Sequence, residues 1–228
     1  MRLLPDERPA GPWRTLSTSA VVEALLAVAG DARPVVVAVD GRGASGKTTL
    51  SEALLADLAR RGVAAAAVHT DDLAWHEPFF GWGHLLRAGV LEPAKRREVV
   101  VFTPPAWEPR GRTGSVDVPA GTEVLLVEGT GAYQRGFDHL YDAVVWVQAD
   151  FGEAERRGIE RDGASGVNGD REQAEAFWHE WMAAEIPYLA EQRAWERADL
   201  TVAGTPVVEL ADGEWAVADR TRGARRNA

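Results

Sequence analysis

Residues Gly41 to Thr48 read Gly-Arg-Gly-Ala-Ser-Gly-Lys-Thr. The spacing G-x-x-x-x-G-K-[ST] is that of a loop that wraps phosphate, and it works only between a strand and a helix. Both flanks are present. Pro34-Val35-Val36-Val37-Ala38-Val39-Asp40 is an apolar, β-branched run that reads as a buried parallel strand. Thr48 to Arg61 carries Leu50, Leu54, Leu55 and Leu58 at helical spacing, and Gly62 stops it. A parallel strand needs a crossover to its neighbour, so the chain is confined to the α/β class.

The residue types follow from the chemistry. Glycines let successive N–H groups converge on phosphate oxygens, and the helix that begins near Gly46 adds the positive end of its dipole. Gly41, Gly43, Ala44, Ser45, Gly46, Lys47, Thr48 and Thr49 are the expected nucleotide contacts. Lys47 bridges the outer phosphates and the Thr48 hydroxyl ligates magnesium. The chain has two lysines, Lys47 and Lys95, against many arginines. A compact ammonium is thus kept where it fits between phosphates.

Apolar residues make up 46% of the 228 residues, enough for a sizeable core, and the length suits one α/β domain with a modest insertion. A formal charge of −10 argues against nucleic acid as a partner. Without cysteine there is no disulfide and no thiolate metal site. The apolar runs are strand-length, so no membrane partner and a cytoplasmic location are expected.

In chain order, residues 1–17 read as an irregular lead-in and Val21 to Ala29 as a short helix. A second strand, Val63 to His69, delivers Asp71 and Asp72 to the carboxyl end of the sheet, where ligands of open α/β sheets bind. An aromatic segment (Trp75, His76, Phe79, Phe80, Trp82) leads into a helix over 83–97, with Pro93 in its last turns. Residues 99–118 suggest a small hairpin-like insertion. Thr122 to Val127 is a buried strand ending in Glu128, an acid placed for the magnesium side of a phosphate site. Ala143 to Val147 is another core strand. Asp150 and Glu153 then open a helix in the manner of a capping box. That helix carries Arg156, Arg157 and Arg161 and ends in the glycine-rich run 163–169, which reads as a lid hinge. A long helix over 170–198 is interrupted near Pro187, short strands follow at 199–202 and 207–210, and the tail at 219–228 reads as disordered. Trp178, Trp181 and Glu185 share one helix face, either as core with a peripheral acid or as a substrate wall. His69, His84, His139 and His179 read as structural or surface residues.

Asp40 to Thr49, the Asp71-Asp72 pair, Leu126-Val127-Glu128-Gly129 and Arg161-Asp162 occur in the order found in uridine kinases. Over residues 34–203 the chain resembles the uridine kinase and phosphoribulokinase group of P-loop kinases. The resemblance implies a three-layer fold with a mostly parallel five-stranded sheet, helices on both faces, an acceptor-side insertion over about 75–118 and a lid over about 157–170. It implies ATP and Mg2+ as cofactors and a small-molecule hydroxyl, nucleoside-like, as acceptor. Asp71 would be the base and would also lie beside the metal, Glu128 the acid near magnesium, and Arg157 and Arg161 lid arginines over the transferring group. Asp72, Trp75, His76, Phe80, Trp107, Arg110, Trp178 and Trp181 are the candidate acceptor contacts. Leu73 stands where uridine kinases usually have a large aromatic side chain. A second reading is a regulatory ATP-binding protein that has lost transfer. A GTPase is disfavoured, because neither lysine follows an asparagine as N-K-x-D would require.

Overall fold

The structure is a computed structural model and describes residues 1–219. The elements, in chain order, are β1 (Arg14–Ser17), α1 (Thr18–Ala29), β2 (Val35–Gly41), α2 (Lys47–Arg60), β3 (Ala65–His69) and α3 (Thr70–Ala74). Next come α4 (Gly83–Leu86) and α5 (Glu92–Lys95), joined by a π-helical turn over Arg87–Leu91, and the hairpin strands β4 (Val100–Phe102) and β5 (Val116–Val118). The second half holds β6 (Val124–Glu128), β7 (Ala143–Gln148), α6 (Phe151–Ser165), α7 (Arg171–Gln192), α8 (Ala194–Arg197), β8 (Leu200–Ala203) and β9 (Glu214–Asp219).

One sheet runs in the order β1-β9-β8-β7-β2-β6-β3. From β3 to β8 all neighbours are parallel, so five strands end at one edge with Gly41, His69, Glu128, Gln148 and Ala203. The chain order reverses beside β2, the strand that leads into the phosphate loop. That is the switch point at which an open α/β sheet binds its ligand.

Among the described residues the sheet has seven strands, which corrects the expected five. The parallel five are present, and β9 adds antiparallel to β8 with β1 antiparallel to β9. The expected strand at 207–210 does not form, because the open edge of β8 is taken by residues 217–219 instead. Val208 and Leu210 are left exposed.

The alternation of a strand sorts the core into two layers. Val35, Val37 and Val39 of β2 face one way, onto Val22 and Leu25 of α1 and Leu50, Leu54 and Leu58 of α2. Val36 and Ala38 face the other way, with Leu125, Val127 and Trp146, toward Leu73, Trp82, Leu86 and Leu189. Helices cover both faces, which lets β2 be apolar throughout and fully buried.

Three local readings differ in detail. The lead-in is docked: buried Glu7 accepts from Trp146 Nε1 at 2.7 Å and Gln148 Nε2 at 2.9 Å, and residues 14–17 form β1. The helix expected over 83–97 bulges into a π turn just ahead of Pro93, which removes a backbone donor. Pro187 does not interrupt α7. The expectation for 219–228 falls, from residue 220 onward, outside the described residues. Among the described residues no helix is long and apolar enough to cross a membrane.

Candidate active site

The phosphate loop has the backbone that its sequence requires. Ala44 and Gly46 sit in the left-handed region, with φ of 54° and 101°, between residues of ordinary hand. Such alternation turns neighbouring N–H groups into one concavity, and the first N–H groups of α2 point into it without helical acceptors. Asp40 fastens the loop from below. Its buried carboxylate accepts from the N–H groups of Gly41 (2.7 Å), Gly131 (2.9 Å) and Tyr133 (2.9 Å), tying the loop to the segment after β6. Burial pushes the Asp40 carboxyl up, against the pull of those three bonds and of Lys47. The Lys47 ammonium lies back on the loop, donating to the Arg42 carbonyl at 2.8 Å and the Thr130 hydroxyl at 3.3 Å.

Beyond the lysine stand the acids. The Thr48 hydroxyl donates to Glu128 Oε1 at 3.2 Å, and the same oxygen meets His69 Nδ1 at 2.5 Å. Burial raises the Glu128 carboxyl, but His69, Lys47 and Thr48 outweigh it, so the net shift is downward. His69 is shifted upward by its hydrogen bond to Glu128. Asp71, in the first turn of α3, is exposed to water at its surface and has protein around it. Desolvation there pushes its carboxyl up, with Glu128 adding to the rise and Lys47, Arg161 and His69 opposing it.

Among the described residues no cluster of three or more His, Asp or Glu side chains could cage a metal. Mg2+ takes one or two protein oxygens and completes its shell with phosphate and water. The hydroxyl of Thr48 and the carboxylate of Glu128 are a hard-oxygen pair at the correct end of the loop, so the residues fit the ion.

Around the aromatic segment and the hairpin, the Asp72 carboxylate is taken by Arg112. The Arg112 guanidinium lies 3.6 Å from the Trp107 ring centroid, and Trp107 Nε1 donates to the Asp72 carbonyl at 2.9 Å. Trp107 is buried, while Arg110 is exposed and only skims the Ala106 carbonyl at 3.5 Å. Trp75 meets His76 edge-on at 4.4 Å. Phe80 stacks on Tyr188 of α7 at 4.0 Å and leans on Trp181 at 5.0 Å. His76 and Phe80 both have positive φ, at 61° and 60°. The aromatic turn is thus strained where it faces α7.

Of the arginines on α6, Arg157 donates to the Gly204 carbonyl at 2.7 Å and to Glu153 at 2.9 Å. Arg161 pairs with Asp162 at 2.8 Å, remains exposed and is close enough to act on Asp71. Arg156 forms exposed pairs with Glu153 and Glu160. Arg157 also borders a cavity of about 160 Å³ between the phosphate loop and β8. Thr49, Val147, Val202, Gly204 and Trp215 line it. Trp178 is buried over Gly158 of α6, with its ring also against Gly43. Trp181 is half-buried, and Glu185 is buried completely.

No protein-family model matches the chain, and no curated protein matches it in sequence. Solved structures do match. A candidate fructose transport system kinase from Silicibacter sp. TM1040 has a TM-score of 0.54 at 23% identity, covering 80% of this chain and 95% of that one. A candidate uridine kinase from Bacillus stearothermophilus has a TM-score of 0.51 at 18% identity, covering 81% and 96%. The YGR205w protein has a TM-score of 0.51 at 12% identity, covering 82% and 93%. The chain has the fold of the P-loop kinases.

Within that fold, several residues at the site escaped the sequence reading. His69 touches Glu128, although histidine spacing alone gave no hint of a partner. Of Arg110 and Arg112, both read from the sequence beside Trp107 as part of an acceptor pocket or of a plain hairpin, Arg112 is the one that reaches Asp72. Glu185 was grouped with Trp178 and Trp181 on one face, and it is at the centre of the packing rather than its rim. Trp215 comes from β9, a strand that composition did not mark.

Proposed function

We propose that the chain is an ATP- and Mg2+-dependent kinase that transfers the γ-phosphoryl group to a hydroxyl of a small molecule, a nucleoside or a related polyol. The observation that carries this reading is the position of Asp71. It follows the strand next to β6, within electrostatic reach of Lys47, Glu128 and Arg161. A base must be close to the acceptor hydroxyl, and a carboxyl raised by its surroundings is a better base than an ordinary one.

In the reaction, the acceptor hydroxyl gives its proton to Asp71 as its oxygen bonds to the γ-phosphorus. The bond to the bridging oxygen breaks and ADP leaves. Lys47 and Arg161 supply positive charge to the spread-out transition state, and the loop N–H groups hold the phosphates that do not move. Bound Mg2+ would neutralise phosphate charge, held from the protein by Thr48 and Glu128. The cavity beside Thr49 and Gly204 is the natural seat for the donor's base, flanked by Arg157 and walled by Val202 and Trp215.

Aromatic and hydrogen-bonding groups together suit an acceptor with a flat or ring-shaped apolar face and several hydroxyls. The similar structures carry the names of a fructose transport system kinase and a uridine kinase, so nucleosides and sugars head the panel to be assayed. The test is single-turnover transfer from labelled ATP with Mg2+ to that panel. Asp71→Asn is expected to slow the chemical step by about 10²–10⁴-fold with ATP binding intact. Unimpaired transfer in that variant overturns Asp71 as the base. ATP binding without transfer to any acceptor would favour a regulatory protein instead.

A further inference from the structure

The carboxylate of Glu185 has no place in the chemistry above, yet it is completely buried against the phosphate loop. Its Oε1 accepts from the Gly43 N–H at 2.5 Å and from Trp181 Nε1 at 3.4 Å. Its Oε2 accepts from Arg42 Nη2 at 3.4 Å. Arg42 is itself 2% exposed, lies 3.9 Å over the Phe151 ring at the start of α6, and has Nε and Nη1 without acceptors among the described residues. A buried ion pair is a poor way to gain stability, since apolar side chains of similar size often serve as well or better. Its placement therefore asks for another reason.

The Gly43 N–H and the Arg42 carbonyl belong to one planar peptide group, so they point in opposite directions. Glycine at 43 offers little resistance to rotation of that plane. Whatever holds the N–H outward therefore turns the carbonyl inward. Turned inward, the Arg42 carbonyl accepts from Lys47 Nζ at 2.8 Å and from the Ser45 N–H at 3.2 Å. A larger residue at 43 is disfavoured, because its Cβ would press on Trp178, Trp181 and Glu185 at 3.0–3.3 Å.

We propose that Glu185 is a positioning residue of the phosphate site: by holding the Gly43 N–H it fixes the Arg42–Gly43 peptide, and through that peptide it places Lys47 and the loop for phosphate. This rests on the nucleotide-binding reading above and adds to it a link between the lid helices and the cradle. Glu185 belongs to α7, and Phe151, under Arg42, belongs to α6. Movement of the α6–α7 pair therefore bears directly on the peptide that orients the lysine.

Two double variants isolate the acceptor from the charge. Arg42→Met with Glu185→Gln removes the ion pair but keeps an oxygen for the Gly43 N–H, whereas Arg42→Met with Glu185→Met removes both. Magnesium tripolyphosphate and MgATP are the calorimetric probes, neither of which requires transfer to any acceptor. The expected result is binding about tenfold weaker for the Met/Met variant than for the Met/Gln variant, for both probes, at matched thermal midpoints. The Nζ resonance of Lys47 in ¹⁵N-lysine-labelled protein is expected to shift in the Met/Met variant only. Lys95, the chain's other lysine, serves as the unmoved reference through its pair with Asp142. Equal affinities and an unshifted Lys47 signal would overturn the positioning role and leave the kinase reading standing. Wild-type protein that binds neither probe would overturn both.

Discussion

Gly129 follows the acid of β6 with a φ of 144°, and a Cβ there would overlap the Thr70 hydroxyl at the start of α3. The end of β6, which carries Glu128, and the start of α3, which carries Asp71, approach each other this closely because position 129 has no side chain. Gly129→Ala is therefore expected to lower the thermal midpoint by about 5 °C or more, read by calorimetry. Asp57 shows the electrostatic side of the same scale. Burial raises its carboxyl, but Arg61 at 2.6 Å and Arg60 at 2.7 Å more than reverse that, holding it below its ordinary 3.8. A carboxyl depressed in the folded state stabilises above its unfolded value and loses that contribution as pH falls through the folded one. Asp57→Asn should thus cost about 2–4 °C near neutral pH, and the difference from wild type should close below pH 3.8. At this scale the loop was legible because its function dictates residue types. Glu185 and His69 were not, since their partners lie far away in sequence.

Helix α7 is the element where local preference and packing disagree most plainly. Proline inside a helix removes a donor and crowds the carbonyl four residues earlier, which is why an interruption near Pro187 is the natural expectation. The helix nevertheless continues to Gln192, carried by Trp178, Met182, Glu185 and Leu189 along one buried stripe while Pro187 faces outward. Burial of that stripe outweighs one lost hydrogen bond. Pro187→Ala is accordingly expected to raise the thermal midpoint by about 2 °C or more, because the helical penalty of proline exceeds the entropy it removes from the unfolded chain. A fall would mean that the packing of α7 uses the fixed backbone angle of the proline. The short strands taught a related lesson. Val207 to Leu210 is richer in strand-forming residues than Glu214 to Asp219, yet only the latter pairs with β8. Strand preference depends on what the surrounding sheet offers, and that offer cannot be read from a window of six residues.

For the whole molecule, the two added strands do more than widen the sheet. Trp215 of β9 lines the cavity beside the phosphate loop and donates to the Thr18 hydroxyl at 3.0 Å, so the late strand closes a wall of the proposed donor site. Trp215→Ala is expected to weaken MgATP binding about tenfold and to leave magnesium tripolyphosphate binding unchanged, since only the former has a base to seat. Equal losses for both probes would place the cavity outside the donor site. The parallel five-stranded core was legible because its strands are continuous apolar runs. The closure by β1 and β9 was not, because it joins the two ends of the described chain.

The placement of β2 between β6 and β7 also governs how the molecule is made. Synthesis releases β2 early, as a nearly continuous valine run, while the strands that will flank it, from Val124 and from Ala143 onward, are still to come. Such a segment, with both edges unpaired, is a template for association with other chains. Its partners are distant in sequence, so pairing is slow once they arrive. The strand that delivers the phosphate loop is thus open to association with other chains until β6 and β7 have followed it.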